Sequence, residues 1–209
     1  MSYIIVGAGG HAKVVLDILN TLHENIAGII DDNFRKESFK GLPVLGTTSE
    51  LDSIVPRFPQ DSFIVAVGNY RPRKQIVNLL ETFQVNFGTA IHPSAIIGSG
   101  VTIGKGTVVM PNVIVNADSH VGDHVILNTA CTVDHDCSLQ NFVHISPGAH
   151  LAGGVKIGEC THIGIGSNVI PRKTIGKFTT VGAGACVVAD IPDYVLAVGC
   201  PAKVIRTIT

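Results

Sequence analysis

The sequence predicts two kinds of structure in one chain, a small α/β domain with a parallel sheet and, after it, a parallel β-helix of hexapeptide repeats. Residues 1–88 alternate apolar strand-like segments with amphipathic helical segments. From Ile91 to Val187, Ile, Leu or Val fills 17 of 17 positions spaced six residues apart, although only 62 of the 209 residues are of these types. The 23 glycines suit short strands joined by tight turns.

In the first domain, strands and helices follow one another in order. A strand is predicted in YIIVGAGG, which runs into a glycine turn. The helix after it, HAKVVLDILNTL, places Val14, Val15, Ile18, Leu19 and Leu22 on one stripe. Further strands are predicted in IAGIIDD and FIVAVGN, and a last helix in RPRKQIVNLLETF, with Pro72 in its first turn. This alternation predicts a small Rossmann-like βαβ domain with a parallel sheet.

The glycine turn suggests a nucleotide site. Gly7–Ala12 fits the pattern G-x-G-x-x-A between a strand and a helix, and Asp31 follows about 20 residues on, as in a dinucleotide fingerprint. The physical requirement is only a phosphate at a helix N-terminus, which the pyrophosphate of a nucleotide sugar also satisfies. The domain is about half a full dinucleotide fold, which disfavours NAD.

In the hexapeptide region, each repeat predicts one flat side of a coil, with its aliphatic residue pointing inward. Three sides make an 18-residue coil, so about five coils stack at roughly 4.8 Å each. The slot after the aliphatic residue is Gly in seven of the 17 repeats, which predicts a corner there. Cys131 and Cys137 occupy the fifth slot, where small residues or Val recur, and are expected in the core rather than on a metal. A β-sandwich would instead show a period of two, with turns every 8–12 residues.

Composition narrows the class of protein. The net charge is −1 with a pI near 6.7, and no run of Lys or Arg occurs, which argues against nucleic-acid binding. No stretch approaches 18 consecutive apolar residues, and the start lacks a signal-peptide pattern, so a cytoplasmic protein without membrane insertion is expected. Five cysteines, an odd number, argue against a disulfide framework.

The segment Asp134-His135-Asp136 interrupts this apolar pattern without breaking its period. A neutral imidazole suits proton removal at cytoplasmic pH, and a neighbouring carboxylate would fix its tautomer and raise its basicity. His135 occupies the third slot, which strict alternation would point inward. Either the coil is distorted there or the ring emerges at the surface. A solvated surface histidine between two acids is the alternative to a catalytic one.

The chain as a whole resembles the hexapeptide-repeat sugar O- and N-acetyltransferases, of the sialic-acid O-acetyltransferase and UDP-4-amino-sugar N-acetyltransferase type. The segments that carry the resemblance are IVGAGGHAKVV, IIDD, AVGNYRPR, IHPSAIIG, ILNTACTVDHDC, FVHISPGAHLAGGVKIG and VGCPAKVI. The resemblance implies a left-handed β-helix, a homotrimer and acetyl-CoA bound between adjacent helices. It assigns residues 1–88 to nucleotide-sugar binding and residues 89–209 to an acyltransferase domain with a C-terminal cap.

The resemblance also implies roles for single residues. His135 matches the proton acceptor, Asp136 the acidic residue that enhances it, and Asn128 a position near the acceptor group. The positions that match contacts to acetyl-CoA are His144, Ile165 and Ala183. Those that match contacts to a UDP-sugar are Gly10, His11, Ala12, Lys13, Asp31, Asp32, Asn33 and Gly68. From chemistry alone, the N–H of Gly153 is a candidate oxyanion donor, because glycine lets the backbone approach a thioester closely. No metal is implied.

His144 follows His135 by nine residues, half of an 18-residue coil. The two side chains therefore cannot stack on the same face of one subunit. The sequence thus predicts that a complete site takes His135 from one subunit of a homotrimer and His144 from its neighbour.

The predicted function is acetyl-CoA-dependent N-acetylation of a UDP-linked 4-amino-sugar in glycan or surface-polysaccharide biosynthesis. O-acetylation of a sialic acid or related sugar is the rival within the class, since His135 suits either acceptor. Two other classes are weighed, a trimeric carbonic-anhydrase-like enzyme with zinc held by three of the nine histidines, and a nucleotide-binding protein without enzymatic activity.

Overall fold

The computed structural model describes residues 2–33 and 36–208. The chain divides into two compact units, Met1–Ala90 and Ile91–Thr209. Among the described residues, every helix is too short or too polar to cross a membrane.

The first unit is a six-stranded sheet with helices between the strands. Its elements are β1 (Tyr3–Val6), α1 (Gly10–Thr21), β2 (Ile26–Ile30), β3 (Ser38–Phe39), β4 (Leu42–Gly46), a short 3₁₀ helix (Thr48–Glu50), α2 (Leu51–Ile54), a second 3₁₀ helix (Val55–Arg57), β5 (Ser62–Val65), α3 (Tyr70–Thr82) and β6 (Asn86–Phe87). The strand order is β3-β4-β2-β1-β5-β6, and only the β3–β4 pair is antiparallel. This is the predicted Rossmann-like domain.

The order of these strands changes direction between β1 and β5, in the middle of the sheet. The chain runs from β1 to β2 on one side of β1 and later returns to β5 on its other side. Such a switch point opens a crevice outside the carboxyl ends of the two strands. The glycine turn follows β1 and Gly68 follows β5, so both segments lie at this crevice.

The predicted stripe of α1 is right in part. Val15, Ile18 and Leu19 are fully buried, but Leu22 is 37% exposed. Leu22 caps the helix at its C-terminus, where the stripe no longer faces the sheet. Ala12 and Leu16 are buried in its place. Pro72 lies in the first turn of α3, as predicted.

The second unit is a left-handed parallel β-helix with one two-residue strand for each predicted repeat. Residues 90–187, all described, form 17 strands. These are β7 (Ala90–Ile91), β8 (Ile96–Ile97), β9 (Thr102–Ile103), β10 (Val108–Val109), β11 (Ile114–Val115), β12 (His120–Val121), β13 (Ile126–Leu127), β14 (Thr132–Val133), β15 (Ser138–Leu139), β16 (His144–Ile145), β17 (His150–Leu151), β18 (Lys156–Ile157), β19 (His162–Ile163), β20 (Asn168–Val169), β21 (Thr174–Ile175), β22 (Thr180–Val181) and β23 (Cys186–Val187). Each strand ends on the aliphatic residue that sets the six-residue period.

The strands form three flat faces. Face 1 begins with β7, face 2 with β8 and face 3 with β9, and every third strand along the chain joins the same face. Paired residues lie 18 positions apart in register, such as Ile126 with His144 and His144 with His162. Residues 18 apart therefore stack one above the other along the helix. Beyond β22, β24 (Val195–Val198) extends face 1, and β25 (Lys203–Thr207) pairs antiparallel with it.

The corners depart from the prediction that slot-two glycines form them. From residue 100 to residue 184, every sixth residue has a positive φ, and these residues lie in slot four. The slot-two glycines have a different purpose. A Cβ on Gly98 would lie 2.7 Å from the backbone nitrogen of Ala117, on the next coil. Where slot two is glycine, a side chain would clash with the next coil, and the turn itself is made two residues later.

The core of the β-helix consists of the side chains of slot one, which is the aliphatic position of each repeat, and of slot five. Val109 and every later slot-one residue are buried, whereas Ile97 on the first coil is 37% exposed. Cys131 and Cys137 are buried in slot five, which confirms their prediction as core residues. Burial raises the pKa of the Cys131 thiol to about 12.

Candidate active site

His135 stands at the corner between face 2 and face 3, directly after β14, and its ring is exposed. The second of the two sequence alternatives is therefore confirmed: the ring emerges at the surface. Each strand is only two residues long, so in–out alternation ends before slot three. Neighbouring Val133 and Cys137 stay buried, and the core is intact beneath the polar segment.

One carboxylate contacts the imidazole of His135, and a second accepts its backbone N–H. Asp136 Oδ2 lies 2.7 Å from His135 Nδ1. Asp134 Oδ1 accepts the backbone N–H of His135 at 2.8 Å and the side-chain amide of Asn116 at 2.9 Å. The hydrogen bond to Asp136, with the charge of Asp134, raises the pKa of His135. The hydrogen bond from Asn116, with that from the backbone of His135, lowers the pKa of Asp134. Nδ1 therefore faces a carboxylate, which leaves Nε2 for proton exchange.

Gly153 lies directly beneath the imidazole, 18 residues and one coil further on. The N–H of Gly154 donates to the backbone carbonyl of His135 at 2.9 Å, which ties the two corners together. A Cβ on Gly153 would lie 2.6 Å from both Nε2 and Cε1 of His135. The ring of His135 thus occupies the space that a side chain at position 153 would fill.

A cavity of about 400 Å³ opens beside the ring. Its lining combines two acidic side chains, the histidine, one arginine, one proline and three small residues, namely Asp134, His135, Asp136, Ala152, Gly153, Gly154, Pro171 and Arg172. A second groove of about 500 Å³ along face 2 shares Asp134, Ala152 and Pro171 with it.

The other predicted residues of the β-helix lie on face 1 and at the corner between face 1 and face 2. Asn128 Nδ2 lies 3.1 Å from His144 Nε2, and the ring of His144 stacks on His162 with centroids 4.8 Å apart. Ile165 and Ala183 follow in one row of the corner between face 1 and face 2. The N–H of Gly184 donates to the carbonyl of Ile165 at 2.8 Å. The side chain of Ile165 is 60% exposed.

Within the described chain, the predicted site residues of the β-helix therefore form two clusters. His135, Asp136 and Gly153 lie at the corner between faces 2 and 3, and His144 lies on face 1. Asn128, predicted beside the acceptor group, contacts His144 and lies at the second cluster. One chain does not bring His135 and His144 together.

The predicted nucleotide residues lie at the carboxyl edge of the first unit's sheet. Gly10 to Lys13 form the first turn of α1, Asp31 to Asn33 follow β2, and Gly68 follows β5. Asp31 Oδ2 accepts the N–H of Ala8 at 2.6 Å, which joins two of these segments. A Cβ on Gly10 or Gly68 would meet only open space. These glycines thus leave room at the edge of the sheet.

The remaining nucleotide candidates differ in what they offer a ligand. Ala12 is fully buried and offers only its backbone. Asp32 accepts the N–H and the hydroxyl of Thr48 at 2.7 and 3.0 Å, so its carboxylate anchors the loop after β4. His11 has its pKa lowered to about 4, by burial and by the charge of Arg73. Arg73, 1% exposed, donates to the carbonyls of Val67 and Gly68. His11 is therefore neutral at neutral pH.

Four residues of these clusters were not among the sequence candidates: Asn116, Asp134, Arg172 and His162. Three of them could have been found in the sequence, because each lies 18 residues from another residue of its cluster. Asn116 precedes Asp134 by 18, His162 follows His144 by 18, and Arg172 follows Gly154 by 18. The signal for Asp134 was its place beside His135. The described residues include no group of three or more His, Cys, Asp or Glu side chains placed to hold a metal ion.

Comparison with known proteins adds relatives to this geometry. A family model described as the PglD N-terminal domain matches residues 3–80. A structure of a histidine-to-asparagine mutant of perosamine N-acetyltransferase from Caulobacter crescentus, in complex with CoA and GDP-perosamine, is 42% identical. Its TM-score is 0.93, and the alignment covers 99% of this chain and 97% of that one.

The chain belongs to the hexapeptide-repeat sugar acetyltransferase family.

Two further members of the hexapeptide-repeat sugar acetyltransferases are similar to it. The acetyltransferase domain of PglB from Neisseria gonorrhoeae, also solved with acetyl coenzyme A, is 44% identical. Its TM-score is 0.90, and 98% of each chain is covered. UDP-N-acetylbacillosamine N-acetyltransferase of Bacillus subtilis is 41% identical over 107 residues, which are 48% of this chain and 47% of that protein. The chain thus spans about half the length of this curated relative.

Proposed function

We propose that this protein transfers an acetyl group from acetyl-CoA to the amino group of a nucleotide-linked 4-amino-sugar, with His135 as the general base. The observation that carries the proposal is the His135–Asp136 pair, with 2.7 Å between Nδ1 and Oδ2, above Gly153 and beside a cavity of about 400 Å³. Members of the family with the same fold were solved with CoA and with an amino-sugar nucleotide.

His135 moves the proton in this scheme. The sugar amine attacks the acetyl carbonyl, a C–N bond forms, and Nε2 of His135 accepts the proton that the nitrogen loses. Asp136 stabilises the imidazolium that results. When the C–S bond breaks, the same proton passes to the CoA sulfur, which leaves as the thiol. The base thus returns to its starting state in each turnover.

The negative charge on the tetrahedral intermediate needs a donor close to the ring. We assign this role to the backbone N–H of Gly153, because residues 152–154 line the cavity and carry little bulk. The glycine serves two needs in this proposal. It leaves space for the imidazole and exposes its backbone to the reacting carbonyl.

Acetyl-CoA binds, in our proposal, at His144 on face 1 and along the adjoining corner that carries Ile165 and Ala183. His135 lies at another corner of the same chain, so the reacting carbonyl reaches it only if a second copy approaches. We therefore propose a homotrimer in which His135 of one copy faces His144 of the next. A cyclic arrangement of three copies would complete three equal sites.

The acceptor's nucleotide binds, in our proposal, at the carboxyl edge of the first unit's sheet. The N-terminus of α1 favours a pyrophosphate, and the open space at Gly10 and Gly68 gives it room. We propose UDP as the nucleotide of the acceptor and a cytoplasmic role in glycan or surface-polysaccharide biosynthesis.

A thiol-release assay tests the proposal. Purified protein is mixed with acetyl-CoA and with UDP-, GDP- and dTDP-linked 4-amino-sugars, with a sialic acid as the hydroxyl acceptor. Rapid CoA release with one of the amino-sugar nucleotides, and an amide in the product by mass spectrometry, is the expected result. Release with the sialic acid alone would replace N-acetylation by O-acetylation. Inactivity with the whole panel would contradict the proposed function.

A further inference from the structure

His162, which stacks on His144, has no role in the scheme above. The two rings lie 4.8 Å apart with 17° between their planes, on paired positions of β16 and β19. This separation equals the spacing of the coils, because the residues repeat in register on face 1. His162 Nε2 also lies 2.7 Å from the hydroxyl of Ser146, which is on the coil of His144. This hydrogen bond thus fixes the ring of His162 over the ring of His144.

The hydrogen bonds around Asn128 define the proton position on His144. Asn128 Oδ1 accepts the N–H of Thr129 at 2.9 Å, so its other end, Nδ2, is the one that faces His144. Nδ2 carries only donors, and it lies 3.1 Å from His144 Nε2. Nε2 must therefore accept. A neutral His144 carries its proton on Nδ1, and Nδ1 is then its donor atom.

We propose that His162 is a positioning residue for acetyl-CoA binding. By ring stacking it holds the side chain of His144, whose proton lies on Nδ1 when the ring is neutral. This inference rests on the proposed function, in which His144 contacts acetyl-CoA. The stack limits the rotation of the His144 side chain, which in our proposal contacts acetyl-CoA.

The test compares His162→Ala with His162→Phe, which keeps an aromatic ring on His144 but removes the hydrogen bond to Ser146. Steady-state kinetics with acetyl-CoA as the varied substrate is the readout. We expect His162→Ala to raise KM for acetyl-CoA about 2- to 10-fold, the range that an aromatic pair contributes. Its kcat should change less than about twofold, and His162→Phe should stay close to the wild type in both constants.

Calorimetry of acetyl-CoA binding without acceptor separates the two levels of the proposal. A wild-type protein that does not bind acetyl-CoA contradicts the proposed function itself. Wild-type binding that His162→Ala leaves unchanged, or an equal loss in the Ala and Phe variants, overturns the positioning role alone. Nitrogen-15 NMR of the wild-type protein provides a measurement without any substitution. The proton of neutral His144 is expected on Nδ1, and an Nε2–H tautomer would overturn the inference.

Discussion

The imidazole of His135 depends on its neighbours for both its orientation and its basicity. Asp136 is the nearer of two carboxylates and the larger cause of the raised pKa of His135. A base with a raised pKa is lost to protonation at a higher pH than an ordinary histidine. The acid limb of kcat/KM should therefore lie above the pH at which a free imidazole titrates.

The variant Asp136→Asn tests this dependence. Asn tolerates the positive φ of this position, 58°, so the corner should keep its shape. Without the carboxylate the imidazolium is less stable, and the acid limb of the pH profile should move to lower pH. The rate on the plateau should fall about tenfold or more, because the ring loses its tautomeric control. A pH profile with an unmoved acid limb would contradict the assignment of Asp136.

Gly153 makes a second prediction at the same scale. A methyl group there would meet the far end of a side chain at 2.6 Å rather than backbone, and Gly153 has no positive φ to oppose alanine. Gly153→Ala should therefore leave the thermal unfolding midpoint nearly unchanged while it displaces the ring. We expect kcat/KM to fall by at least about tenfold.

A double variant provides the control for Gly153. If the methyl group acts through the ring, Gly153→Ala added to His135→Ala should cost little further activity. A full additive loss would show that the glycine acts independently of His135.

Sequence patterns singled out His135 as a candidate because an ionisable residue within an unbroken apolar period is conspicuous. They failed for its surroundings because the contacts run between coils. Asn116 and His162 are remote in sequence from the residues they touch, and only the 18-residue register of the folded helix brings them together. Once that register is known, residues at i ± 18 can be read from the sequence directly.

At the scale of elements, two glycines that follow neighbouring strands of the first unit's sheet, Gly7 after β1 and Gly68 after β5, allow a controlled comparison. Gly7 has a φ of 114°, and a Cβ there would lie 2.9 Å from the carbonyl oxygen of Ala66. Gly68 has open space around it. Gly7→Ala should lower the free energy of unfolding by about 1–3 kcal/mol, whereas Gly68→Ala should leave it nearly unchanged.

Binding should respond differently at the second of these glycines. If a nucleotide occupies the edge of the sheet, Gly68→Ala should raise KM for the nucleotide sugar on the order of tenfold, with KM for acetyl-CoA unchanged. Equal KM values for the sugar in wild type and variant would place the nucleotide elsewhere.

The elements themselves were predictable to different degrees. The period of six predicted each of the 17 strands of the β-helix, because every coil repeats the same packing problem. The slot-two glycines were wrongly predicted to form the corners, because a close approach of two backbones and a left-handed turn both favour glycine. In α1 the prediction of a buried stripe was wrong at Leu22, because the end of the helix no longer faces the sheet.

At the scale of the whole molecule, the candidate site residues of the β-helix in one chain lie in two separate clusters. Mixing His135→Ala and His144→Ala chains by joint refolding tests whether a neighbouring copy completes the site. Random trimers should recover about a quarter of the wild-type activity, because one site in four combines an intact His135 with an intact His144. Each variant refolded alone is the control. Mixtures no more active than these controls would contradict the shared site.

The most direct measurement is kcat/KM of the wild-type protein and of His135→Ala, with acetyl-CoA and the best amino-sugar nucleotide, at a pH above the acid limb. The account predicts a loss of about 10²- to 10⁴-fold in the variant, the usual contribution of a general base, with an unchanged thermal unfolding midpoint. Activity of His135→Ala within a few-fold of the wild type would contradict it.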